Sequence, residues 1–277
     1  MRTTINIVTC VIGMCIAETV AAQAFQAAED VRFISRLDDS EQHYVILQPE
    51  QFDENTSHDV MIALHGHGSD RWQFVTNTRP ECQGTRDMAL RRNLIFVSPD
   101  YRAKTSWMGP AAEADLLQIL DELRKRFEIR DVIISGGSMG GTSALAFAAM
   151  HPDRIDGVVA LNGTANMVEY PNFAEAIAES YGGTKTEKPD VYRQRSAELF
   201  AERLTMPLAA TTGGKDTLVP PDSTLRLVAS LKKHRSPVIS IHRPDAGHGT
   251  NYDDTISAFQ FVFDQLDAKH RATAPRP

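Results

Sequence analysis

Ser138 stands in Gly136-Gly137-Ser138-Met139-Gly140, with a glycine two positions to either side of its hydroxyl. That spacing suits a serine on a sharp strand-to-helix turn, where side chains at the flanking positions would have no room. The context fits. Asp131–Ser135 ahead of it is apolar and β-branched, and Gly141–Met150 behind it is a run of small residues suited to a helix. The plain alternative is a glycine-rich turn carrying a surface serine. A serine hydroxyl is a poor nucleophile until a base takes its proton. The chain should therefore also hold a histidine base, a carboxylate to orient it, and N–H donors for the charge created by attack on a carbonyl.

His248 is best placed for the base. It lies in Pro244–Gly249, flanked by glycines, between the last strand pattern and the last helix pattern. His242 falls within a strand pattern, and His234 lies near a helix end where a cation favours the macrodipole. For the acid, Asp216 follows the strand Leu208–Thr212, at a carboxyl edge where such groups converge. Its rival Asp222 follows Pro220-Pro221 and reads as a helix-start carboxylate. Asp245 is too near His248 in the same loop. One oxyanion donor should be the N–H of the residue after the nucleophile, Met139. The second should come from His65-Gly66-His67-Gly68, the loop after Val60–Leu64. Reading His65 and His67 as metal ligands has thin support, since an i, i+2 pair has no cysteine or carboxylate beside it. No metal or organic cofactor is expected.

The elements that must position these groups alternate. Short apolar runs read as strands at His43–Leu47, Val60–Leu64, Leu94–Ser98, Val132–Ser135, Gly157–Leu161, Leu208–Thr212 and Val238–His242. Most are continuously apolar, as strands buried on both faces should be. Between them lie helical stripes: Leu116, Leu120, Leu123 and Phe127; Leu225, Val228 and Leu231; Ile256, Phe259, Phe263 and Leu266. Gly109-Pro110 suits a helix start. Alternation of strand and helix predicts an α/β fold with a mostly parallel central sheet, helices on both faces and an antiparallel first edge. The link from Leu161 to Pro207 is too long for a simple connection. It predicts helices at Asn172–Tyr181 and Asp190–Arg203, and a small cap insertion at about 163–206 over the sheet's carboxyl edge.

On these words the chain resembles the α/β-hydrolase superfamily: His65-Gly66-His67-Gly68 after a strand, the glycine-rich turn at Ser138, Gly214-Lys215-Asp216-Thr217-Leu218-Val219-Pro220, and Gly247-His248-Gly249. It is similar to secreted esterases of the dienelactone hydrolase, feruloyl esterase and prolyl oligopeptidase catalytic-domain group. The resemblance implies the α/β-hydrolase fold, a Ser138–His248–Asp216 triad, and an oxyanion site at the Met139 and His67 N–H groups, with Gly66 the runner-up. It implies cleavage of carboxylic esters through an acyl-enzyme. A serine peptidase like the prolyl oligopeptidases is the alternative, made weaker by the lack here of the long propeller region those enzymes place ahead of this domain. A catalytically silent binding module on the same fold is the remote third reading.

Composition narrows the setting. The 277 residues carry 23% charged positions and a net charge of −7, with no basic stripe, so nucleic acid is not expected as a partner. Met1-Arg2, the mostly apolar Ile5–Ala17 and Ala22-Gln23-Ala24 read as a signal peptide over residues 1–24, with a mature start at Phe25. The expected protein is secreted or periplasmic, a single domain over 25–277, with no stable membrane span after signal cleavage. Cys82 is then the lone cysteine and reads as a small buried hydrophobe. The expected substrate is a small-molecule or carbohydrate-linked ester. Asp70–Met88 should border the cleft and carries Trp72, Phe74, Arg71, Arg79 and Arg86 as candidate contacts, though each singly reads better as a packing aromatic or a solvated arginine; Trp107 is a further candidate. Asn162 and Asn166 follow a strand end beside the cap. Asn162-Gly163-Thr164 and Asn55-Thr56-Ser57 match the glycosylation acceptor pattern.

Overall fold

A computed structural model of the chain describes residues 24–273. Its strands are β1 (Glu29–Ile34), β2 (Glu41–Leu47), β3 (His58–Leu64), β4 (Ile95–Pro99), β5 (Ile129–Gly137), β6 (Gly157–Leu161), β7 (Leu208–Gly213) and β8 (Val238–Arg243). They form one sheet in the order β1-β2-β4-β3-β5-β6-β7-β8. β2 runs antiparallel to β1 and β4, and the remaining neighbours are parallel. The expected mostly parallel sheet with an antiparallel edge is thus present. Strand β1 has no counterpart in the sequence reading. As an edge strand it buries only Phe33 among the charged Glu29, Asp30 and Arg32, so its alternation is faint.

The helices are α1 (Gln73–Thr76), α2 (Pro80–Arg91), α3 (Pro110–Arg126), α4 (Met139–Met150), α5 (Ala174–Tyr181), α6 (Pro189–Gln194), α7 (Asp222–Lys233) and α8 (Tyr252–Thr273). Successive residues of a strand face opposite sides. In β3, Val60, Ile62 and Leu64 therefore join Leu116 and Leu120 of α3, Ala144 of α4 and Leu227 of α7 in one core. Met61 and Ala63 join Met88 of α2 and Phe259 and Phe263 of α8 in the other. Both faces are covered, which is why the strands lack polar alternation. Cys82 is fully buried in the second core, and burial pushes its thiol up to about 12.

The long link after β6 holds α5 and α6, but the helix expected over Asp190–Arg203 is broken. α6 ends at Gln194, and a 3₁₀ segment runs over Ala197–Arg203. The break lies at Ser196, whose hydroxyl donates to the Tyr192 carbonyl and accepts the Met167 N–H. The expected leader lies outside the described residues apart from Ala24. Among the described residues no helix is long and apolar enough to cross a membrane.

The turn between β5 and α4 is the tightest crossing in the sheet. Ser138 sits there at φ 58° and ψ −117°, a conformation that costs an L-residue about 1–3 kcal/mol. The close packing that holds it leaves no room for a Cβ at Gly136 or Gly140. A methyl at Gly140 would come within 2.0 Å of the Leu64 carbonyl oxygen, and one at Gly136 within 2.6 Å of the same atom. At Gly137 the nearest atom would be Phe74 Cζ, at an ordinary 3.8 Å. Gly140→Ala should therefore destabilise the fold by about 3 kcal/mol or more. Gly137→Ala should cost under about 1 kcal/mol. Denaturant melts of the two variants check the contrast.

Candidate active site

β5 delivers Ser138, the loop after β7 delivers Asp216, and the loop between β8 and α8 delivers His248. All three positions lie at the carboxyl ends of parallel strands. His248 Nδ1 lies 2.7 Å from Asp216 Oδ2, and His248 Nε2 lies 2.9 Å from Ser138 Oγ. A carboxylate can only accept, so the imidazole proton sits on Nδ1 and leaves Nε2 free to accept from the serine hydroxyl. Asp216 is buried, and its Oδ1 accepts the backbone N–H groups of Leu218 at 3.0 Å and Val219 at 2.9 Å. These bonds leave Oδ2 aimed at the ring. The rivals lie elsewhere. Asp222 begins α7, and the exposed Asp245 pairs with Lys215 at 2.7 Å.

Beside Ser138, Met139 opens α4, so its N–H belongs to the first turn, which has no partner within the helix. The Gly66 N–H is occupied, donating to Gln73 Oε1 at 2.6 Å. Among the described residues the His67 N–H has no such acceptor, so it remains open as a donor. Gln73 is absent from the sequence reading, because nothing in a helical glutamine marks it as filling a backbone donor. The His65 ring faces the carbonyls of Gly66 and Asp100. The His67 ring packs on Phe173, with centroids 4.5 Å apart, and its Nδ1 accepts the Trp107 indole N–H at 3.2 Å. The two rings thus have separate partners.

A cleft of about 240 Å³ opens over Ser138. Phe74, Leu161, Phe173 and Leu218 supply its apolar lining, and Arg79 and Glu81 its charged groups. Of the other expected lining residues, Arg71 is held by Asp30 and Asp100, Arg86 by the carbonyls of Phe74 and Asn77, and Trp72 packs on the second core. Trp107 is fully buried behind His67 rather than facing the cleft. Asn166 is spent locally, donating to Glu198 and accepting from Val168 and Glu169. Asn162 lines the cleft floor but is only 6% exposed, so its amide is closed to a glycan. Phe173 comes from the insertion after β6, whose Tyr170 and Asn172 also bond the Leu218 carbonyl. That insertion therefore touches the site.

An acid, a base and a hydroxyl aligned at the carboxyl edge of such a sheet are the arrangement of serine hydrolases with the α/β-hydrolase fold. Residues 101–267 match the prolyl oligopeptidase family, and the chain belongs to that family. It is similar to dipeptidyl peptidase family member 6 of Caenorhabditis elegans, at 27% identity over 129 residues, covering 43% of this chain and 17% of that one. It spans no more than a fifth of the curated relatives it matches. Among solved structures, Pyrococcus horikoshii acylaminoacyl peptidase superposes with a TM-score of 0.65 at 18% identity, covering 89% of this chain and 41% of that one. A ferulic acid esterase gives a TM-score of 0.65 at 19% identity, covering 86% of this chain and 97% of its own.

The His67 ring is open to test by titration. Burial holds its imidazole below the ordinary histidine value of about 6.5, because desolvation disfavours the cation. The indole N–H at Nδ1 bonds the neutral ring and acts in the same direction. Followed by the ring proton resonances, His67 should titrate below that value. Trp107→Phe should move the midpoint upward.

Proposed function

We propose that this protein hydrolyses carboxylic esters through an acyl-enzyme on Ser138. The observation that carries the proposal is the unbroken hydrogen-bond line from Ser138 through His248 to Asp216. Ser138 Oγ attacks the carbonyl carbon while its proton passes to His248 Nε2, and Asp216 steadies the imidazolium. The N–H groups of Met139 and His67 take the charge on the carbonyl oxygen. The tetrahedral adduct collapses, the C–O bond to the leaving group breaks, and the imidazolium returns its proton to the departing alkoxide. Water then attacks the acyl-serine, losing its proton to His248, and Ser138 leaves as the hydroxyl. No step draws on a metal or an organic cofactor.

The small cleft supports an ester of modest acyl size, since binding sites for drug-sized molecules span about 300–1,000 Å³. Its exposed arginine, loosely paired with Glu81, supports an anionic group on the substrate. Arg79 is 55% exposed, and its nearest carboxylate, Glu81, lies 3.7 Å away. Cleavage of a peptide bond is the second reading, favoured by the likeness to dipeptidyl peptidases. The residues 1–24 pattern supports an exported, secreted or periplasmic enzyme, which N-terminal sequencing at Phe25 would test.

Wild type should take a fluorophosphonate label and turn over p-nitrophenyl acetate faster than a dipeptide anilide. Labelling with the reverse preference would favour the peptidase reading. Ser138→Ala and His248→Ala should each lower turnover by about 10⁴-fold or more, with little added by combining them. Asp216→Asn should cost about 10³–10⁴-fold, and Asp222→Asn almost nothing. Arg79→Ala should raise KM about two- to five-fold for a carboxylate-bearing ester and leave a neutral ester unchanged, the scale of an exposed ion pair.

A further inference from the structure

We infer that Asn162, Thr211 and Thr250 form a buried latch that holds the His248 loop at its working distance from Ser138; this rests on the serine-hydrolase reading above. From Arg243 to Thr250 the loop is exposed or half-buried at every residue except Thr250. Ahead of His248 the loop backbone rests on the turn after β7, with the Gly214 N–H on the Arg243 carbonyl and the Lys215 N–H on the Ala246 carbonyl, both at 2.9 Å. After His248 a Cβ at Gly249 would touch nothing within 4 Å, and the first buried residue is Thr250. Thr250 is only 7% exposed, and its hydroxyl meets Thr211 Oγ1 at 2.6 Å and the Asn162 side-chain amide. Thr211 Oγ1 also meets that amide, at 3.1 Å. The three polar groups close a triangle at the end of β6 and β7.

The base of that triangle is tied to the nucleophile. Leu161, the last residue of β6, accepts the Ser138 N–H at 2.8 Å. Asn162, the next residue, sits at φ 49° with its own N–H on the Thr211 carbonyl at 3.0 Å. Two consecutive residues therefore anchor Ser138 on one side and the His248 loop on the other. All three polar groups are buried, and the two threonine hydroxyls spend their contacts on each other and on the Asn162 amide. The latch acts on chemistry through His248, so its members are positioning residues.

Thr250→Val removes the hydroxyl at nearly constant shape, and Thr250→Ser keeps it. Turnover of p-nitrophenyl acetate is measured per fluorophosphonate-labelled site, so that any unfolded fraction is not counted. Thr250→Val should lower kcat about 10- to 100-fold with KM within about twofold, the scale of a misplaced catalytic group. Thr250→Ser should recover most of the loss. The downfield resonance of the His248 Nδ1 proton should broaden or vanish in Thr250→Val and return in Thr250→Ser. Thr211→Val breaks the same triangle from inside the sheet and should act in the same direction, which covers a Thr250→Val protein that does not fold. Wild-type turnover per labelled site in the valine variants would overturn the latch, whatever their melting temperatures. A wild-type protein that takes no label would overturn the serine-hydrolase reading, and the latch with it.

Discussion

The close approach of α4 to the end of β3 is the constraint on which the rest of the site depends. Gly140 lies so near the Leu64 carbonyl that no side chain fits between them. That contact sets the angle at which β5 enters α4, and the angle fixes Ser138 at φ 58°. The same contact places the start of the His65–Gly68 loop beside the first turn of α4. One backbone crossing thus positions Ser138 and both candidate oxyanion donors. Such an arrangement is rigid because its position is set by packed backbone and by the hydrogen bonds of β5 to β3 and β6.

Much of this was legible in the sequence, because the constraint is written in residue types. Glycines at 136 and 140 are there because nothing larger fits, and the buried strands are apolar because both faces are covered. His248 and Asp216 could be chosen because each follows a strand on the same edge of the sheet. What was not legible depends on contacts between residues distant in sequence. Gln73 blocks the Gly66 N–H from seven positions away, through a side chain that any helix surface might carry. Thr250 and Thr211 look like ordinary polar residues until the sheet brings them within 2.6 Å. Trp107 reads as a candidate for the cleft, yet it is buried behind the His67 ring. Pattern alone cannot separate a lining aromatic from one that supports the lining.

The insertion after β6 shows the same limit. Its length marks it as more than a connection, but length says nothing of what it touches. The structure sets Phe173 against the His67 ring and ties Tyr170 and Asn172 to the loop that holds Asp216. The insertion therefore touches both the Asp216 loop and the His67 loop. The described geometry couples the insertion to the loops that carry Asp216 and His67 as well as to the shape of the cleft.

The extent of the family match separates chemistry from specificity. Residues 101–267 contain Ser138, Asp216 and His248, as well as Asn162, Thr211 and Thr250. Gly66, His67, Gln73, Phe74, Arg79 and Glu81 line the cleft from ahead of that stretch, whereas Leu161, Phe173 and Leu218 line it from within. Membership of the family accordingly bears on how a bond is attacked, and bears little on which bond is presented. A triad of this kind serves esters and amides alike, since both pass through a tetrahedral adduct with charge on oxygen. The choice between them rests on what the cleft binds in the transition state, and here the cleft combines an apolar lining with the exposed Arg79–Glu81 pair. The segment from Gly66 to Glu81 and the insertion that carries Phe173 both line the cleft, so a substrate held over Ser138 would meet residues from inside and from outside the family match.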